Sequence, residues 1–236
     1  MPPTVHCIRH AQGYHNLNAA NHNMHDPLLT VLGHEQCKTL GRDFPYSSNV
    51  DLIVASPIKR TIYTALEAFE EIIRKKGLKV VALPEVQETS DLPCDTGSDR
   101  AELEREFEGR PIDLDLVHEG WNNKRGKWAP TAAAIQNRAR EGRVWLMNRP
   151  EKEIVIVTHG GFLHYFTEDW SDTARFVGTG WNNTEYRSYT FSSHQPEEAH
   201  LIETPESLIR RKQAEETNKD LSKEEDVNLK RTVSNT

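Results

Sequence analysis

Four short runs of β-branched residues mark out the chain: Val5 to His10, DLIVAS at 51–56, KVVAL at 79–83 and EIVIVTHG at 153–160. Runs of that length and composition suit strands buried on both faces of a sheet. Helical spacing of apolar residues fills the intervals. Thr30 caps a predicted helix through Glu35 and Leu40, and Ile58 to Lys76 reads as one helix stopped by Gly77. Asp99 and Glu102 have the spacing of a capping box for a short helix, and Pro130 starts a longer one through Arg143 and Trp145.

This alternation predicts an α/β three-layer sandwich, a mostly parallel central sheet with helices on both faces. Glu85 to Asp99 and Arg110 to Ala129 read as loops, and long loops in a compact domain are where substrate selection is expected. From about His200 the sequence turns charged and nearly free of aromatics. The expected organisation is a catalytic domain over 1–199, with loop insertions at about 85–129, and a charged tail over 200–236, disordered or helical. The tetrapeptide GWNN occurs at 120–123 and again at 180–183, which reads as chance.

Charge narrows the partners. With 29 basic and 36 acidic residues the net charge is −7, which argues against broad nucleic-acid binding but allows a local basic pocket for a small anion. Cys7, Cys37 and Cys94 have neither disulfide-framework nor zinc-ribbon spacing, so a reducing compartment is expected. No run approaches the ~20 apolar residues of a membrane span, and MPPTVHCIRH lacks the pattern of a secretion signal. The expectation is a cytoplasmic protein with no membrane partner and no cofactor. Nuclear entry and oligomeric state, a dimer included, stay open.

In an open parallel sheet, ligands bind beyond the carboxyl ends of the strands. The first predicted strand ends in Arg9-His10, the second in Ser56 with Arg60 one helical turn on, and the last in Thr158-His159-Gly160. Two arginines and two histidines converging with Asn16 suit a dianionic tetrahedral group, because guanidinium forks pair with phosphate oxygens and imidazoles add donors. The bland reading makes each a solvated strand-end residue. His6 and His10 share one strand face with His15 nearby, but no carboxylate or cysteine completes a metal-ligand spacing, so no metal is expected.

Four ordered stretches, RHAQGYHN, HDPLLTVLGHEQCKTLG, SPIKRTIYTA and VTHGG, resemble the histidine phosphatase superfamily, in its branch related to phosphoglycerate mutases. The resemblance spans roughly residues 4 to 165. It implies that His10 is a nucleophile forming a phosphohistidine, neutral and with its second ring nitrogen donating to a backbone carbonyl. It implies that Arg9, Arg60 and His159 neutralise the phosphoryl oxygens and that Asn16 is a further phosphate ligand. An acid after the third strand protonates the leaving oxygen and then activates water; Glu88 is the candidate, with Glu85 and Asp95 as alternatives. Ala11 stands where many relatives have glycine. The continuation TSDLPCDTGSD resembles eukaryotic mutase-like proteins rather than true mutases.

The implied function is a phosphomonoester hydrolase acting on a small phosphorylated metabolite. A phosphomutase, recruitment of the pocket to non-hydrolytic metabolite chemistry, and non-catalytic binding are the rivals. Gly13, Tyr14 and His15 stand beside the nucleophile as candidate rim residues. The loop GWNNKRGKW offers Trp121, Lys124 and Arg125 for a second anionic or flat group, against a plain reading of Trp121 as cover for the sheet edge.

Overall fold

The computed structural model describes residues 2–172, 177–195 and 197–217. Its strands and helices follow the apolar runs closely. The buried run TVHCIR forms β1 (Thr4–Arg9), followed by α1 (Val31–Asp43), whose N-cap Thr30 accepts the Gly33 N–H through its side chain. Then come β2 (Leu52–Ala55), α2 (Lys59–Ala68), α3 (Glu70–Lys76) and β3 (Val80–Ala82). The single helix expected over Ile58 to Lys76 is thus two. They meet at Phe69, whose φ of −111° and ψ of 17° leave the helical region while its ring is buried in the core. Gly77 ends the second in the left-handed conformation, φ 65°.

The expected loops carry structure of their own. Short 3-10 turns lie at Pro84–Val86 and Pro93–Asp95. The helix α4 (Arg100–Glu106), the strand β4 (Ile112–Asp113) and a third turn at Gly126–Trp128 follow. After α5 (Ala132–Met147), β5 (Glu153–Thr158) and α6 (Gly160–Thr167), the chain adds β6 (Trp170–Asp172), β7 (Val177–Gly178), β8 (Tyr186–Phe191), β9 (Leu201–Glu203) and α7 (Pro205–Thr217).

The main sheet has the order β4-β3-β2-β5-β1-β8-β9. It is parallel from β4 through β1, and antiparallel where β8 joins β1 and β9 joins β8. Alternate residues of β5 serve the two faces. Val155 and Val157 pack with Cys37, Leu40, Ile62 and Ala65 of α1 and α2, whereas Ile154 and Ile156 pack with Ile135, Ala139, Phe162 and Phe166 of α5 and α6. The result is a three-layer α/β sandwich.

The boundary expected at residue 199 is corrected. β9 completes the sheet edge beyond it, and Ser207 of α7 is buried with its hydroxyl accepting the Ser188 N–H of β8. Residues 218–236 of the expected tail lie outside the described residues. Among the described residues no helix is long and apolar enough to cross a membrane.

Candidate active site

The carboxyl ends of β1, β2 and β5 bring together the side chains that the sequence placed there. His10 follows the last residue of β1 and is buried. Its Nδ1–H donates to the Ala11 carbonyl at 2.7 Å, which leaves the lone pair on Nε2, where Arg60 Nε donates at 3.1 Å. Burial, then the charges of Arg60 and Arg9, holds its pKa well below that of an ordinary histidine.

Arg60, on the first turn of α2, is 0 % exposed and spends its fork on four partners. Beyond His10 it donates to the Cys94 carbonyl at 2.5 Å, to Asp95 Oδ1 at 3.1 Å and to His159 Nδ1 at 3.0 Å. His159 therefore carries its proton on Nε2, which donates to Ser56 Oγ at 2.9 Å. Its pKa is also well below normal, through burial first and then Arg60, His10 and His15. The His10 and His159 ring centroids lie 5.2 Å apart. Arg9 is anchored by donation from Nη1 to the Trp181 carbonyl at 2.5 Å.

Glu88 follows the turn after β3. Its carboxylate accepts the Thr89 N–H at 2.8 Å and, at the start of α6, the Phe162 N–H at 2.9 Å and the Gly161 N–H at 3.3 Å. A Cβ on residue 161 would stand 2.8 Å from Glu88 Oε1, so the second glycine of VTHGG is what lets the carboxylate approach. Burial and then the Asp95 charge raise the Glu88 pKa, against the pull of Arg60, the Thr89 N–H and Arg9. Of the two alternatives, Asp95 is committed to Arg60 and accepts the Ser90 hydroxyl, and Glu85 is turned to Lys127 at 2.6 Å.

Several residues that sequence reasoning passed over hold this arrangement. Arg138 of α5, buried, donates to the carbonyls of Glu85, Gln87 and Glu88 and so fixes the backbone at Glu88. Its signal was an arginine on the inward stripe of Ile135, Ala139 and Leu146. Asn183 Nδ2 donates to the His10 carbonyl at 2.9 Å, and the Thr184 N–H donates to that of Arg9 at 3.0 Å. The two GWNN segments have a shared local build. Each has a glycine with φ near 77° and a buried tryptophan whose carbonyl accepts from a buried side chain: Gln87 on Trp121, Arg9 on Trp181.

The remaining candidates divide. Asn16 Oδ1 accepts the Gly13 N–H at 3.0 Å, His15 is buried beside His10, and Tyr14 is exposed. Lys124 approaches the site, its Nζ 3.4 Å from the Glu88 carbonyl. Burial and then Arg138 push its pKa down to about 7, while Asp95 and Glu88 pull the other way. Arg125 is exposed. Trp121 is corrected as a rim contact: it is 1 % exposed and its ring is packed in the core over Gly97, where a Cβ would stand 2.3 Å from it. His6 donates or accepts only away from the site, to Ser188 Oγ and Glu153.

The sequence profile of the histidine phosphatase superfamily, branch 1, matches residues 5–204. The chain belongs to the histidine phosphatase superfamily. A probable phosphatase of Schizosaccharomyces pombe is 29% identical over 167 residues, covering 69% of this chain and 76% of its own. A phosphoglycerate mutase-like protein of Arabidopsis thaliana is 31% identical over 198 residues, covering 68% and 72%. The fold is shared with a variant phosphoserine phosphatase of Entamoeba histolytica solved with phosphoserine, at a TM-score of 0.53 and 16% identity over 86% of this chain and 95% of that one. Membership in the superfamily and a phosphatase among the relatives both support phosphatase activity.

Proposed function

We propose that the protein hydrolyses phosphomonoesters of small metabolites through a phosphohistidine at His10. The observation that carries this reading is the state of His10: Nδ1–H tied to the Ala11 carbonyl, burial keeping the ring neutral, and the Nε2 lone pair facing Arg60. A neutral imidazole with one nitrogen pinned is a nucleophile at the other.

In the first step the Nε2 pair forms a bond to phosphorus as the bond from phosphorus to the ester oxygen breaks, and the departing oxygen takes the proton of Glu88. In the second, a water gives a proton to Glu88 and its oxygen displaces His10, releasing inorganic phosphate and restoring the starting state. Arg60 and Arg9 face the charge that builds on the phosphoryl oxygens and supply the positive charge a metal ion would otherwise bring, while neutral His159 offers them its Nε2–H in exchange for Ser56 Oγ. Arg60 Nε exchanges its bond to His10 for one to a phosphoryl oxygen as the ester arrives. Asn16 has Oδ1 taken by Gly13, so its Nδ2 is the atom offered to phosphate. The raised pKa of Glu88 suits an acid that must hold its proton above the ordinary carboxylate range.

The test is release of phosphate from an aryl phosphate in excess chelator, compared between the intact protein and His10→Ala. Chelator-resistant release that vanishes in His10→Ala is expected; release that persists in the variant overturns the assignment.

A further inference from the structure

Three imidazoles gather at this site, and the third has no part in the chemistry above. His15 lies in the turn Tyr14–Asn16 after β1, with its ring centroid 5.4 Å from that of His10 and tilted by 49°. It is 7 % exposed, and its Nδ1 is buried with no hydrogen-bond partner among the described residues. A buried, unpaired ring nitrogen costs stability, and an apolar side chain would fill the same space without that cost.

Gly13 explains how the ring fits. Its φ of −98° and ψ of 165° are open to any residue, so backbone conformation does not call for glycine. Contact does: a Cβ there would stand 2.8 Å from His15 Nδ1 and 2.9 Å from Cε1. The buried Nδ1 also points to the tautomer. A buried N–H with no acceptor is rarer and costlier than a bare acceptor nitrogen, so the proton is assigned to Nε2. Burial, then Arg60, His10, Arg9 and His22, keep the ring neutral, so it carries this single ring N–H.

We propose that His15 is a further phosphoryl-binding residue, its Nε2–H donating to a non-bridging oxygen of the group that His10 receives, with Gly13 as the positioning residue that leaves room for its ring. This rests on the phosphohistidine reading. It adds a donor to the arginine forks, one that contributes no charge of its own before the ester arrives. It also accounts for a polar ring at a position where packing alone would favour phenylalanine.

Vanadate, which takes the five-coordinate geometry of phosphoryl transfer, is the probe, with its affinity measured by calorimetry so that turnover is not needed. His15→Phe keeps the ring volume and is expected to bind vanadate roughly ten- to a hundredfold more weakly, the loss of one hydrogen bond to a charged group. His15→Gln, which keeps a donor, recovers part of that affinity. Gly13→Ala displaces the ring and weakens binding by a similar factor, and the double variant Gly13→Ala/His15→Phe is no weaker than either single one, because both remove the same contact. Melting temperatures separate these effects from unfolding, and Gly13→Ala decides the matter if His15→Phe does not fold. Intact affinity in His15→Phe and Gly13→Ala, while His10→Ala abolishes turnover, overturns this inference alone. No vanadate binding by the intact protein overturns it together with the reading beneath it.

Discussion

At the scale of single residues, the site is a set of groups whose charge is set by burial. Glu88 and His10 are pushed in opposite senses on the pH axis by the same loss of solvent, one toward an acid and the other toward a base. Glu88→Gln keeps shape and removes the transferable proton, so kcat is expected to fall by about 10²–10⁴. The pH profile follows the same sign. A folded-state pKa above the ordinary value means that the protonated acid survives to higher pH and is lost as pH rises through that value. The alkaline limb of kcat is expected in the intact protein and absent from the residual activity of Glu88→Gln. Arg9, His10, Arg60 and His159 were legible because strand-end positions in a parallel sheet are fixed by the apolar runs before them. Arg138 was not, since its three carbonyl partners come from a loop fifty residues away. Trp121 was misplaced because a tryptophan in a glycine-rich stretch reads equally as lid or as core; the close seat over Gly97 decides it.

At the scale of elements, the parallel half of the sheet could be read directly, since β-branched runs buried on both faces leave few other solutions. The antiparallel half could not. β8 reads YRSYTF, and its buried Arg187 and Ser188 draw on partners from other segments: Arg187 donates to Asp169 at 2.7 Å besides its neighbour Glu185, the Ser188 hydroxyl meets His6 Nδ1, and the Ser188 N–H donates to the Ser207 hydroxyl. A polar residue paid for by distant partners leaves no periodic signal. The short helix α6 links element to chemistry, because its first N–H groups hold the carboxylate of Glu88, the proposed acid. Gly161→Ala places a methyl against Glu88 Oε1 and displaces the carboxylate while leaving His10, Arg60 and His159 in place. The expected outcome in steady-state kinetics and calorimetry is a fall in kcat of roughly tenfold or more, with vanadate affinity nearly kept. An equal loss of both would mean that the glycine serves the phosphate pocket instead.

At the scale of the molecule, a chain of net charge −7 buries Arg9 and Arg60 around a pocket that holds three neutral histidines. That arrangement has a cost in acid. His10, His15 and His159 have folded pKa values below about 6.5, the unfolded value, so the unfolded chain binds more protons in the window below it. Stability is therefore full above about pH 6.5 and declines as pH falls below it, toward the lower folded values. Urea unfolding at a series of pH values between about 8 and 5 checks this, with a shallower decline expected for His159→Asn than for the intact protein. The proposed catalysis stands on one covalent bond, between phosphorus and Nε2 of His10. The direct measurement is rapid mixing with a phosphorus-labelled aryl phosphate in excess chelator, quenching in alkali and mapping the label by peptide. A label on the peptide carrying His10, stable in alkali, lost in acid and absent from His10→Ala, is the predicted result. Turnover with no label at any time, or a label on another residue that survives in His10→Ala, would contradict it.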